Sequence, residues 1–217
     1  MKRRKFIKKS FIGGISIMVF PAYYGIKTGV GYELDLSTVE SNFVRCPDTP
    51  TAEKMMNHID EVKEMGDTLG GIITCVIKNP PLALGEPVFD KFHADLAKAV
   101  MSINAVKGVN IGSGMNSAQL SGEDNSDEIF QKNKKVNFKS NNAGGILGGI
   151  SSGQEIIVSF AVKPTSSILA TRKTINKFGK NTSISVKGRH DPCVGIRAVP
   201  VGEAMMSCVL LDHYLMN

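Results

Sequence analysis

Residues 156 to 167, I-I-V-S-F-A-V-K-P-T-S-S, set the frame for the chain. Ile156, Val158, Phe160 and Val162 alternate with Ile157, Ser159 and Ala161, the period of two that gives a strand its two faces. Both sets are apolar or small, so the run predicts a strand buried over most of its surface. It delivers Lys163, Pro164, Thr165, Ser166 and Ser167 at its end: one ammonium, hydroxyls and open backbone amides. Such a set suits a phosphate; the competing reading is a Lys/Ser turn in water.

Immediately upstream lies N-N-A-G-G-I-L-G-G-I-S-S-G-Q, residues 141 to 154. It contains neither G-K-[ST] nor G-x-G-x-x-G, so it is not a P-loop or a dinucleotide fingerprint. Its glycines, Gly148 among them, permit close approach of backbone to a ligand. Residues 112 to 140 are polar and of mixed charge, and predict a long mobile connection. Glu123, Asp124, Asp127 and Glu128 within it fit no calcium loop, which leaves a solvated acidic patch and no metal site.

Before that connection, G-G-I-I-T-C-V-I-K at 70 to 78 predicts a second strand, bounded by Gly and by Asn79-Pro80-Pro81. Ala52, Met55, Met56, Ile59 and Val62 recur at helical spacing, with Thr49 as N-cap, Pro50 as first helical residue and a stop at Gly66. Phe89, Phe92, Leu96, Ala99, Val100 and Ile103 predict another helix ending near Lys107-Gly108, which sets Asn104 and Ala105 at an element's end. Downstream, residues 169 to 187 read as a strand and loop. They lead into K-G-R-H-D-P-C-V-G-I-R-A-V-P at 187 to 200, a turn punctuated by Gly188 and Pro192. There Arg189 can hold an anion while Asp191 exchanges a proton; the alternative is a surface ion pair between the two. Cys193 beside them reads as a small buried hydrophobe. Val201, Ala204, Met205, Cys208, Val209 and residues 211 to 215 predict a last helix; neither His58 nor His213 is assigned a catalytic role.

With 217 residues, 42% of them apolar, the chain can bury one real core. Its net charge of +6 is carried by Lys2, Arg3, Arg4, Lys5, Lys8 and Lys9, and the remainder holds 20 basic and 20 acidic residues. A neutral body excludes a nucleic-acid surface as the reading of that charge. The four cysteines and four histidines show no zinc spacing and no disulfide framework. Residues 1 to 31 join that basic cluster to F-I-G-G-I-S-I-M-V-F, in the shape of a twin-arginine-like export segment and too short to span a membrane. The alternative for this segment is an artefact of truncation, fusion or gene modelling.

Four blocks, in order, resemble the chorismate synthase family. They are G-E-P-V-F-D-K at 85 to 91 running into M-S-I-N-A-V-K-G at 101 to 108, residues 141 to 154, K-P-T-S-S-I at 163 to 168, and G-R-H-D-P-C-V-G-I-R-A-V-P at 188 to 200 with V-G-E-A-M after it. The resemblance spans residues 32 to 217. It implies an α+β fold, a β-α-β sandwich truncated at its N-terminus, and a cytoplasmic homotetramer. It also implies the anti-1,4-elimination of phosphate from 5-enolpyruvylshikimate 3-phosphate, giving chorismate with reduced FMN. By match to the family's motifs, Asn104, Ala105, Gly148, Lys163, Pro164, Thr165, Ser166, Ser167 and Arg189 bind FMN, and Asp191 manages a proton at the reactive flavin nitrogen. The family's S-H-G, G-H-A-D, R-R-x-P-G-Q and R-S-S-A-R-E-T motifs have no counterpart here, and nothing resembles a nicotinamide site. The alternative is therefore a non-catalytic remnant that binds flavin or oligomerises, exported if the basic N-terminus is a signal.

Overall fold

A computed structural model describes residues 16–22, 35–188 and 190–217. At its centre, β2 (Gly71–Lys78) and β8 (Ile156–Val162) pair antiparallel, from Gly71 opposite Val162 to Ile77 opposite Ile156. They are the inner strands of an antiparallel sheet of order β1-β2-β8-β3. The outer strands are β1 (Ser16–Ala22) and β3 (Val106–Ile111). Part of the apolar run read as export-like is thus an edge strand, where Pro21 is tolerated because an edge leaves one row of amides unpaired. The basic cluster before it lies outside the described residues. Among the described residues no helix is long and apolar enough to cross a membrane.

One sheet face presents Ile73, Cys75, Ile77, Val158, Phe160 and Val162 to two helices, α2 (Phe92–Met101) and α3 (Gly195–Met216). Phe92, Leu96 and Val100 from α2 and Ala198, Val199, Met206 and Leu210 from α3 complete this core. Each large side chain buried there contributes about 1.5–3 kcal/mol. His213, buried on α3, reaches the Asp95 carboxylate on α2 at 3.1 Å and meets the Phe92 ring edge-on, so it ties the two helices together. On the other sheet face the buried Thr74 hydroxyl bonds that of Ser159 at 3.0 Å, and Val76 packs on Leu36 and Val39 of a short 3-10 helix. Helix α1 (Thr49–Glu64) packs Ala52, Met55 and Ile59 with Val44 and Cys46, against Leu69, Cys193 and Ile196.

Several elements differ from the sequence reading. Asp48, not Thr49, caps α1: its carboxylate accepts from the Thr51 amide at 2.9 Å. Phe89 is not helical; it has φ 61° and is 90% exposed, and α2 begins where the Phe92 amide donates to the Gly149 carbonyl. That helix stops at Met101, and Ala105, with φ 71°, turns the chain back into β3, whose bulge at Lys107 lets Val106 and Val109 both serve the core. Helix α3 starts at Gly195, ahead of Pro200, which it contains at the cost of one backbone donor. Its outer surface carries an exposed stripe at heptad-like spacing, Val201, Ala204, Cys208, Leu211 and Leu215.

The stretch 112 to 140 is built, not featureless. It holds a 3-10 helix, Gly114–Gln119, and a hairpin of β4 (Ile129–Lys132) and β5 (Lys135–Phe138). Its acidic patch includes a structural anchor, since the Asp127 carboxylate accepts from the Ser140 hydroxyl and from the Asn142 and Ala143 amides at 2.5, 2.7 and 2.9 Å. The glycine-rich segment forms a small hairpin, β6 (Ile146–Leu147) and β7 (Ile150–Ser151), turned at Gly148-Gly149. Residues 169 to 187 form a second exposed hairpin, β9 (Arg172–Ile175) and β10 (Asn181–Ile184).

Candidate functional site

Four segments meet at the sheet end defined by Gly71, Val162 and Val106. The loop after β8 is fixed first: the Lys163 amide donates to the Ala105 carbonyl at 2.9 Å, so the ammonium-hydroxyl run follows directly on the turn at Asn104-Ala105. The segment before β2 joins next, through the Thr68 hydroxyl donating to the Thr165 carbonyl at 2.7 Å. Gly70 is required here for space, since a Cβ would stand 2.6 Å from the Val162 carbonyl oxygen and 3.1 Å from Pro164. The turn before α3 completes the group: the Leu69 amide donates to the Pro192 carbonyl at 2.7 Å, and Ser167 Oγ lies 3.4 Å from His190 Nδ1.

Lys163, Pro164 and Ser166 are exposed, Thr165 and Ser167 half-buried, and Asn104 is exposed beside them. The Asp191 carboxylate, also half-buried, takes Arg197 Nη2 on its Oδ1 at 3.0 Å. The ion pair of this turn therefore joins Asp191 to a residue of α3, and Arg189 lies outside the described residues. Asn104, Ala105, Asp191 and residues 163 to 167 are thus brought together. Gly148 is not: its hairpin sits at the N-terminus of α2, whereas Asn104-Ala105 follows the C-terminus, one helix of roughly 15 Å away. The sequence reading missed Arg197 and Thr68. Arg197 was visible only as part of a supposed turn, and Thr68 carried no signal, because its partner is remote in the chain.

An apolar cavity of about 180 Å³ lies beside this group, among α1, the start of β2 and the start of α3, with Met55, Ile59, Leu69, Ile72, Cys193 and Ile196 in its walls. The polar groups suited to an anion are on the neighbouring loop, outside that cavity. His58, at its edge, is half-exposed and contacts Glu61 at 3.4 Å. Among the described residues no group of His, Cys, Asp and Glu side chains is arranged to hold a metal ion.

Burial pushes the Cys193 thiol above its ordinary range, and Cys46 and Cys75 likewise, so none is a poised thiolate. Cys208 is exposed. In the native chain at pH 8, Cys208 is expected to react with an aromatic disulfide reagent at least roughly tenfold faster than the other three thiols. Modification of Cys193 at the rate of Cys208, read by peptide mapping, would contradict this packing.

The comparisons with known proteins point to one family. The sequence profile of the chorismate synthase family matches residues 4–215, taking in the amino-terminal segment that carries none of the motifs quoted above. The chain is 68% identical to the chorismate synthase of Pelagibacter ubique over 180 residues, which are 83% of this chain and 50% of that protein. It is 51% identical to that of Roseobacter denitrificans over 209 residues, 96% of this chain and 57% of the relative. It therefore spans about half the length of the curated relatives it matches. A crystal structure of a chorismate synthase superimposes with a TM-score of 0.73 at 29% identity, covering 94% of this chain and 57% of the other. The fold is the α+β, β-α-β sandwich type of that structure, and the chain belongs to the chorismate synthase family.

Proposed function

We propose that this chain serves the chorismate synthase reaction, the removal of phosphate and a proton from 5-enolpyruvylshikimate 3-phosphate, and that its part is to hold reduced FMN and handle the proton. The observation that carries this reading is the meeting of Lys163 to Ser167 with Asn104-Ala105 and the Asp191 turn at one sheet end, in a chain of this family. The donor set fits a flavin phosphate: an exposed ammonium and the hydroxyls of Thr165, Ser166 and Ser167, which offer hydrogen bonds to an anion without burying an unpaired charge. Lys163, Thr165, Ser166 and Ser167 would hold the phosphate, with Asn104 presenting its amide beside them. Reduced FMN, when bound, supplies the electron density that helps expel the substrate's phosphate.

Asp191 is arranged for proton handling. Arg197 occupies Oδ1 and fixes the carboxylate, which leaves Oδ2 to accept a proton and return it. The place of Gly148 in the site rests on the family resemblance alone, since one chain keeps it apart from the loop. The homotetramer and the cytoplasmic location belong to the same reading; the apolar stripe on α3 supports an assembly that covers it.

The test is anaerobic formation of chorismate from 5-enolpyruvylshikimate 3-phosphate and reduced FMN by the 217-residue chain. Chorismate above the no-protein control supports turnover by this chain. A folded sample that binds FMN and forms none overturns turnover and leaves the chain as a holder of the cofactor.

A further inference from the structure

Ser167 and His190 belong to different segments, the loop after β8 and the turn before α3, and their polar atoms meet at 3.4 Å. The second ring nitrogen of His190, Nε2, is buried with no hydrogen-bond partner among the described residues. The ring folds back over its own turn, so that a Cβ on Gly188 would stand 3.7 Å from Nε2 and 3.9 Å from Cε1. Asp191 next to it does not answer the orphan nitrogen, because Arg197 draws its Oδ1.

A neutral imidazole has one N–H and one bare lone pair, and the hydrogen bond at one nitrogen decides which is which. Orphaned buried N–H donors are rarer in folded proteins than under-used acceptors. The proton therefore belongs on Nδ1, where Ser167 Oγ can accept it, and the lone pair on Nε2 is the group left without a partner among the described residues. A serine oxygen that accepts from the imidazole keeps its own O–H free to donate elsewhere. Ser167 is half-buried, as is Thr165, while Lys163, Pro164 and Ser166 of the same loop are exposed, so a ligand reaching this loop can receive that donation.

We propose that His190 is a positioning residue: its Nδ1–H donates to Ser167 Oγ and commits the Ser167 hydroxyl proton to a phosphate oxygen of the ligand. This extends the reading that residues 163 to 167 hold the phosphate of FMN. It is the same logic by which a partner behind a ligating side chain fixes that side chain's orientation.

Two measurements on the full chain test it. Nitrogen-15 NMR of the imidazole without ligand is expected to show the Nδ1–H tautomer; an Nε2–H tautomer overturns the proposal whether or not flavin binds. Titration with FMN, followed by flavin fluorescence, then completes a double-mutant cycle. Ser167→Ala and His190→Phe are each expected to weaken FMN binding roughly tenfold, the worth of one hydrogen bond, and the double variant no further. His190→Asn, which keeps a donor near the Nδ1 position, is expected to recover most of the loss and covers a Phe variant that fails to fold. If Ser167→Ala leaves FMN binding unchanged, the phosphate reading of the loop fails and this role with it. If Ser167→Ala weakens binding but the His190 effect is absent or adds in full, the positioning role alone is overturned.

Discussion

Gly85→Ala is expected to destabilise the chain by about 3–5 kcal/mol, from left-handed backbone strain of about 1–3 kcal/mol and overpacking of similar size. Gly85 has φ 108°, a region closed to side chains, and a Cβ there would stand 2.4 Å from the Gly149 carbonyl oxygen and 2.8 Å from Phe92 Cβ. Neither neighbour can yield cheaply. The Gly149 oxygen is the acceptor that starts α2, held by the Phe92 amide at 2.8 Å, and the Phe92 ring is fully buried in the main core. A methyl group at this point pushes the glycine-rich hairpin and the helix start apart together. For a chain of this length the loss corresponds to a fall in unfolding midpoint on the order of 10 °C. A fall of less than about 2 °C in a thermal melt would show that this junction adjusts freely. The consequence reaches function, because α2 carries Asn104-Ala105 from that junction to the opposite end of the sheet.

The second large effect concerns the contact that seats α3 on the sheet. Phe160 of β8 is buried to 1% exposure, and Gly202 is the space its ring needs: a Cβ would lie 2.9 Å from Cζ and 3.0 Å from Cε1. Phe160→Ala is expected to cost about 3–5 kcal/mol through lost burial and the cavity left behind, and Gly202→Ala about 1–3 kcal/mol through overpacking. These sites are coupled, since each shapes the room for the other. Phe160→Leu combined with Gly202→Ala should fall short of the sum of its single effects by about 1 kcal/mol in urea unfolding. Simple additivity would mean that helix and strand do not interlock here. The same packing fixes the register of α3, and with it the Arg197 side chain that holds Asp191.

What could be read from the chain, and what could not, follows from how each element earns its stability. β8 and β2 announce themselves because both faces or one whole face are apolar, and α1 because its stripe recurs at helical spacing. β3 was hidden by chance periodicity: Ile103 continues the α2 stripe, while Ala105 reverses the chain with a positive φ that its identity does not advertise. The start of α3 was hidden by Gly195 and Pro200, turn residues in most settings: Gly195 is the first helical residue, and Pro200 lies inside the helix, which holds despite the backbone donor that Pro200 lacks. The hairpin of β4 and β5 has exposed residues on both faces, Ile129, Phe130 and Val136 among them, so no alternation marks it. Within the site, residues 163 to 167 were legible because their donors are adjacent in sequence. The pairings Thr68 to Thr165 and Asp191 to Arg197 were not, since tertiary packing selects them. Gly148 shows the converse, a residue plausible by motif that one chain places at the far end of a helix.

The central claim is that the loop from Lys163 to Ser167 binds the phosphate of the flavin, and comparing FMN with riboflavin tests it most directly, because the two differ by that phosphate. Titration of the full chain is predicted to give FMN an affinity at least roughly tenfold above riboflavin, a difference that Lys163→Met largely abolishes while riboflavin binding stays as it was. Equal affinities for the two flavins in a folded chain, or a preference for FMN that survives Lys163→Met, would contradict the account.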